Sequence, residues 1–222
     1  MKVHALAGRN GSRNFNRHIS LIKWMAPLSA YIAVGIGLFV FHSAWGALLG
    51  FHIAITISLL FARPDIPISI LLKYKDIKWI FLSILLCGSS GVTLYFLWGY
   101  FGFAGDLSEQ VEMLGLNSST WLVFIAYFVS VNPFIEEYFW RGYLGNKTKS
   151  PHISDFLYAG FHVLILINKT QILSVVYALI VLIFAGWLWR QIAREDNGLL
   201  GPVLGHMTAD LAILLTVYKM VT

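Results

Sequence analysis

Residues 120–145 read TWLVFIAYFVSVNPFIEEYFWRGYLG, and this stretch decides what kind of molecule the chain is. It stays largely apolar from Trp121 to Ile135, then meets the acid pair Glu136 and Glu137, with Arg141 one turn further on. Apolar blocks recur along the chain and are too long for the core helices of a soluble domain. Composition agrees. Of 222 residues, 58% are hydrophobic and 12% charged, with a mean hydropathy of +0.71, where an ordinary globular domain carries about 25% charge. Disorder, a secreted disulfide scaffold and a soluble nucleic-acid binder are excluded on these grounds. The single cysteine, Cys87, permits no internal disulfide.

Crossing the hydrocarbon of a bilayer takes about 20 mostly apolar residues. The expected spans are Trp24–His42, Trp45–Ala62, Trp79–Phe101, Thr120–Ile135, Phe156–Ile167, Ile172–Trp189 and Leu199–Tyr218. The fourth and fifth are short by this count but can each extend through polar residues at one end, and Ile66–Leu72 is better placed at the interface. The expectation is an all-α polytopic membrane protein with a bundle of about seven transmembrane helices. Residues 1–23 read as a basic cytoplasmic tail before a single transmembrane domain, residues 24–222.

The net charge of +5 follows from the bias of Lys and Arg toward cytoplasmic loops, and no nucleic acid is implied. With the N-terminus cytoplasmic, 14 of the 16 Lys and Arg residues fall on the inner side. Only Lys169 and Lys219 remain outside, where the longest loop carries Asp106, Glu109 and Glu112.

Ionisable groups in a bilayer helix cost a few kcal/mol to insert, so each is a functional candidate. Three expected helices carry them: Glu136, Glu137 and Arg141 on the fourth, His162 on the fifth, His206 and Asp210 on the seventh. With a rise of about 1.5 Å per residue, Glu136 lies about 7–8 Å from Arg141, His162 about 12 Å from Ser154 and His206 about 9 Å from Leu200. All three depths fall in the cytoplasmic half, so the groups are expected to meet at one buried site.

Spacing adds roles. Glu137 and Arg141 stand i,i+4 with the acid first, the favourable order for an ion pair. Glu136 is turned about 100° away from Glu137, which leaves one acid to hold the arginine and the other for chemistry. His206 and Asp210 share a face, as do Tyr158 and His162. Pro133 removes a backbone hydrogen bond just before the acids and is expected to kink the helix. His42 and His52, without partners at motif spacing, read as structural.

Glu136-Glu137-Tyr-Phe-Trp-Arg141, Tyr158-Ala-Gly-Phe-His162 and His206-Met-Thr-Ala-Asp210 together resemble the CPBP family of membrane proteases (the CAAX protease and bacteriocin-processing group). The family pattern is EExxxR, FxxxH and HxxxN or HxxxD, and the resemblance covers residues 120–218, leaving 24–119 as accessory helices. Two positions depart from it: Tyr158 replaces the usual phenylalanine, and Asp210 stands where the prenyl-protein branch has asparagine. The resemblance implies an intramembrane endopeptidase acting on a membrane-associated protein or peptide. Glu136 would deprotonate a water held also by His162, while His206 with Asp210 would stabilise the oxyanion. Glu137, Arg141 and Tyr158 would support these groups. No cofactor is expected; a zinc ion on His162, His206 and Asp210 is the alternative. A catalytically silent scaffold and a proton-coupled transporter are the competing function classes.

Overall fold

The computed structural model describes Lys23 and residues 25–222, so all of the basic tail except Lys23 lies outside the described residues, as does Trp24. Among the described residues the chain is helical, with a lone bridge pair, Phe103 and Thr170, as its only β-type pairing. Helices α1 (Met25–Phe39), α2 (Ala44–Ala62) and α3 (Ile77–Phe96) are followed by the short α4 (Leu107–Met113) and by α5 (Trp121–Glu137). Then come α6 (Ile153–Gly160), α7 (His162–Leu166), α8 (Ile172–Asp196) and α9 (Leu200–Val221).

Among the described residues, five stretches are long and apolar enough to cross a membrane: α2, α3, α5 with its continuation to Tyr143, α8 and α9. Helix α1 and the α6–α7 pair are apolar but shorter. The expected fifth span is not one helix. It breaks at Phe161, which leaves His162 at the first position of α7. The expected fourth span runs further than its apolar residues do. Pro133 sits inside α5 without ending it, and the helix continues past the acids as a π-helical turn, Tyr138–Tyr143. The outward faces carry large apolar side chains such as Phe81, Leu85, Leu173 and Phe184. In water this would be a liability; in hydrocarbon it is the solvated surface. The chain is a multi-pass membrane protein.

Helix α9, which carries His206 and Asp210, is seated most extensively on α3. Small residues permit the approach. A Cβ at Gly91 of α3 would collide with the Ala212 carbonyl oxygen, and one at Gly205 of α9 would run into Ser83. Thr216 adds a hydroxyl bond to the Gly91 carbonyl at 3.1 Å.

The connections sort into two ends. At one end Asp196 accepts from the backbone N–H groups of Lys75 and Asp76 at 2.9 and 2.8 Å, and Leu199 N–H donates to Ile70. Ile70 lies in the 3-10 turn Ile68–Leu72, where the interfacial segment was expected. Nearby, Arg190 binds Asp155 at 2.7 Å and the carbonyls of Thr148 and Ser150 at 2.6 and 2.7 Å. Arg190 counts as a loop charge in the sequence, but it is buried and fastens the 146–150 loop onto α8. At the other end Ala104 pairs with Lys169, Ala44 with Leu114, and Ser108 with Val221. This alternation puts Lys73, Lys75 and Lys78 at the same end as the 146–150 loop.

Candidate active site

Glu136 and Glu137 are adjacent, fully buried and differently committed. Glu137 Oε1 lies 3.0 Å from Arg141 Nη1, the expected i,i+4 pair, and 2.9 Å from His206 Nδ1 on α9. A carboxylate only accepts, so His206 Nδ1 carries the hydrogen and donates it. That fixes the ring with Nε2 facing Asp210, whose Oδ1 is 3.6 Å away, too far for a hydrogen bond. Glu136 makes no ion pair. Its Oε1 accepts from the Asn132 side-chain amide at 2.9 Å, and Oε2 is buried without a protein partner.

Arg141 lies within the π turn, and its guanidinium carbon sits 4.0 Å from the Tyr158 ring centroid and 4.9 Å from that of Trp189. Gly186 on α8 makes room for this stack: a Cβ there would stand 3.1 Å from the Tyr158 ring and 3.5 Å from Arg141 Nη2. Trp189 also stacks on His206 at 4.7 Å between centroids. Tyr158 touches both imidazoles, edge-on to His162 at 5.3 Å and to His206 at 6.1 Å. His162 Nδ1 donates to the Tyr158 carbonyl at 3.1 Å, which leaves Nε2 as the free acceptor of a neutral ring. Phe161 stacks on its other side at 4.0 Å.

The side chains singled out in the three motifs therefore come together around Tyr158 and Arg141, from α5, its π turn, α6–α7 and α9. Among the described residues no three His, Cys, Asp or Glu side chains converge as a metal-binding group. His206, held by Glu137 through Nδ1, turns Nε2 toward Asp210 Oδ1 at 3.6 Å.

The comparison with known families matches residues 118–212 to the model described as type II CAAX prenyl endopeptidase Rce1-like. That segment is Rce1-like. It spans α5 to most of α9 and contains all three motifs, in keeping with the CPBP resemblance. Neither curated proteins nor solved structures gave a significant match. Helices α1, α2 and α3 lie outside the Rce1-like segment, yet α2 reaches its acid. His52 Nε2 lies 3.1 Å from Asn132 Oδ1, and its Nδ1 lies 3.2 Å from the Tyr127 hydroxyl. Neither Asn132 nor this role for His52 emerges from the motifs. Asn132 had a readable signal, because it stands i−4 from Glu136. His52 had none beyond being an imidazole in an apolar span.

Proposed function

We propose that the protein is an intramembrane endopeptidase in which Glu136 activates a water for attack on a peptide bond of a membrane-associated substrate. The observation that carries this reading is the division of labour between the adjacent acids. Oε2 of each acid is buried without a protein partner, but Glu137 is already neutralised through Oε1 by Arg141 and His206, while Glu136 makes no ion pair and meets only the neutral Asn132 amide. A free oxygen in a water-poor setting is what a general base needs.

In the sequence of events, Glu136 Oε2 takes a proton from the water as its oxygen attacks the scissile carbonyl. His162 Nε2 accepts the second hydrogen of that water and orients it. The tetrahedral oxyanion is met by His206 Nε2–H, with the imidazolium balanced by Glu137 behind it, in surroundings where such donors are worth most. Glu136 then returns its proton to the leaving amine. Asp210 acts beside His206, and the reading needs no metal. A type II CAAX prenyl endopeptidase-like segment makes a C-terminal, lipid-modified peptide the first substrate to try, with the basic loops and the site facing the cytoplasm of the cell membrane.

The experiment is cleavage of a farnesylated C-terminal peptide, and of the same peptide without the lipid, by purified protein in lipid vesicles. Product from the wild type and none from Glu136→Ala supports the reading. Tight substrate binding without product from the wild type replaces it with the scaffold reading.

A further inference from the structure

The buried polar chain leading from α2 to the acid is directional. With Glu136 ionised, its Oε1 can only accept, so Asn132 must turn its amide N–H toward it, at 2.9 Å. That leaves Asn132 Oδ1, also only an acceptor, facing His52 Nε2 at 3.1 Å. His52 Nε2 must therefore carry the hydrogen. In the neutral ring Nδ1 is then an acceptor, and the Tyr127 hydroxyl at 3.2 Å supplies the donor. Each group settles the orientation of the next: Tyr127 to His52, His52 to Asn132, Asn132 to Glu136. His52 is 5% and Asn132 1% exposed, so bulk water does not compete for these bonds.

An asparagine without a partner on its oxygen can rotate and present that oxygen to the carboxylate, where two acceptors repel. His52 removes this freedom. From this geometry we propose that His52, outside the Rce1-like segment, is a positioning residue for Glu136. It holds the Asn132 amide on Oε1 and so reserves Oε2 for the reacting water. This rests on the peptidase reading for its consequence in turnover, but not for its consequence at the carboxylate.

The test uses the full chain in lipid vesicles. His52→Phe, which cannot donate, should lower kcat by about tenfold, the worth of one hydrogen bond, with KM within about twofold. His52→Gln, whose amide can donate to Asn132 Oδ1, should recover most of the loss. Independently of activity, the infrared difference between each protein and its Glu136→Gln counterpart isolates the Glu136 carboxyl band. That band should shift in His52→Phe and return in His52→Gln. Nitrogen-15 NMR of labelled histidine in the wild type should find His52 protonated on Nε2, a readout that needs no variant of His52 to fold. An unshifted band with wild-type kcat in His52→Phe, or a hydrogen on Nδ1 of His52, overturns the proposal. A wild type that cleaves nothing sinks the peptidase reading while the infrared and NMR results still decide this one.

Discussion

His206 Nδ1 lies 2.9 Å from Glu137 Oε1, which makes the second acid of the pair more than an anchor for Arg141. One carboxylate oxygen sits against a guanidinium on its own helix run and an imidazole on another. The expected ion pair of α5 is therefore also the device that sets the direction of a ring 69 residues away.

Glu136→Gln should keep the fold, since Gln still accepts from Asn132, and should lower turnover by about 10²-fold or more, the range for losing a general base. Thermal unfolding and cleavage measured on the same preparation check both halves. Undiminished turnover in this variant removes Glu136 from the chemistry.

Glu137→Gln leaves Arg141 without its counter-charge in a buried place and should cost about 3–5 kcal/mol. Glu137→Met with Arg141→Met removes both charges and should be markedly more stable than the single variant. It should nonetheless turn over poorly, because His206 Nδ1 has lost its acceptor. Denaturation midpoints and kcat together are the readout, and a stable, fully active double variant would show that Glu137 is a structural partner only.

Asp210→Asn should stay substantially active, because the side chain acts beside His206 and an amide at that distance still offers a donor. Dialysis of the wild type against a strong chelator should leave cleavage unchanged. An enzyme silenced by the chelator and restored by stoichiometric zinc, with Asp210→Asn dead, would replace the proposed mechanism by a metal-assisted one.

In a Cys87→Ala background, a cysteine at Lys147 should react with an impermeant reagent from the cytoplasmic side, and one at Asn117 from the opposite side. Labelling of both from one side would overturn the expected crossing of the bilayer by α5. Arg190→Gln should further expose the 146–150 loop, read as faster tryptic cleavage at Lys147 and Lys149.

What was legible in the sequence was what a helix presents to itself. Glu137 and Arg141 pair at i,i+4 as expected, and His206 and Asp210 share a face. Contacts between helices were not legible. The Glu137–His206 bond and the His52–Asn132 bond join residues far apart in sequence, and no periodicity encodes which faces meet. Hydropathy placed the apolar blocks, and the short fourth one extends through polar residues at one end as expected: α5 runs on through Glu136 and Glu137 because their partners lie inside the protein. The break at Phe161 has no glycine–proline signal at the break itself; Gly160 is there for a different reason, since a Cβ on it would collide with the Tyr31 hydroxyl. Arg190 looked like one more loop charge because Asp155, its counterpart, lies on another helix.

The π turn at Tyr138–Tyr143 has a consequence for register. Such a turn fits one more residue into the helix than an α turn would, so the stretches before and after it obey two different rulers. Closing this segment into plain α-helix with no residue removed would rotate one stretch against the other, because each of its residues would then advance the full 100° or so of an α-helix. With the far end fastened by the Arg190 clamp, the stretch that turns is the one bearing the acids. Both glutamates would remain in the chain, with every neighbour intact in sequence, and face the wrong way.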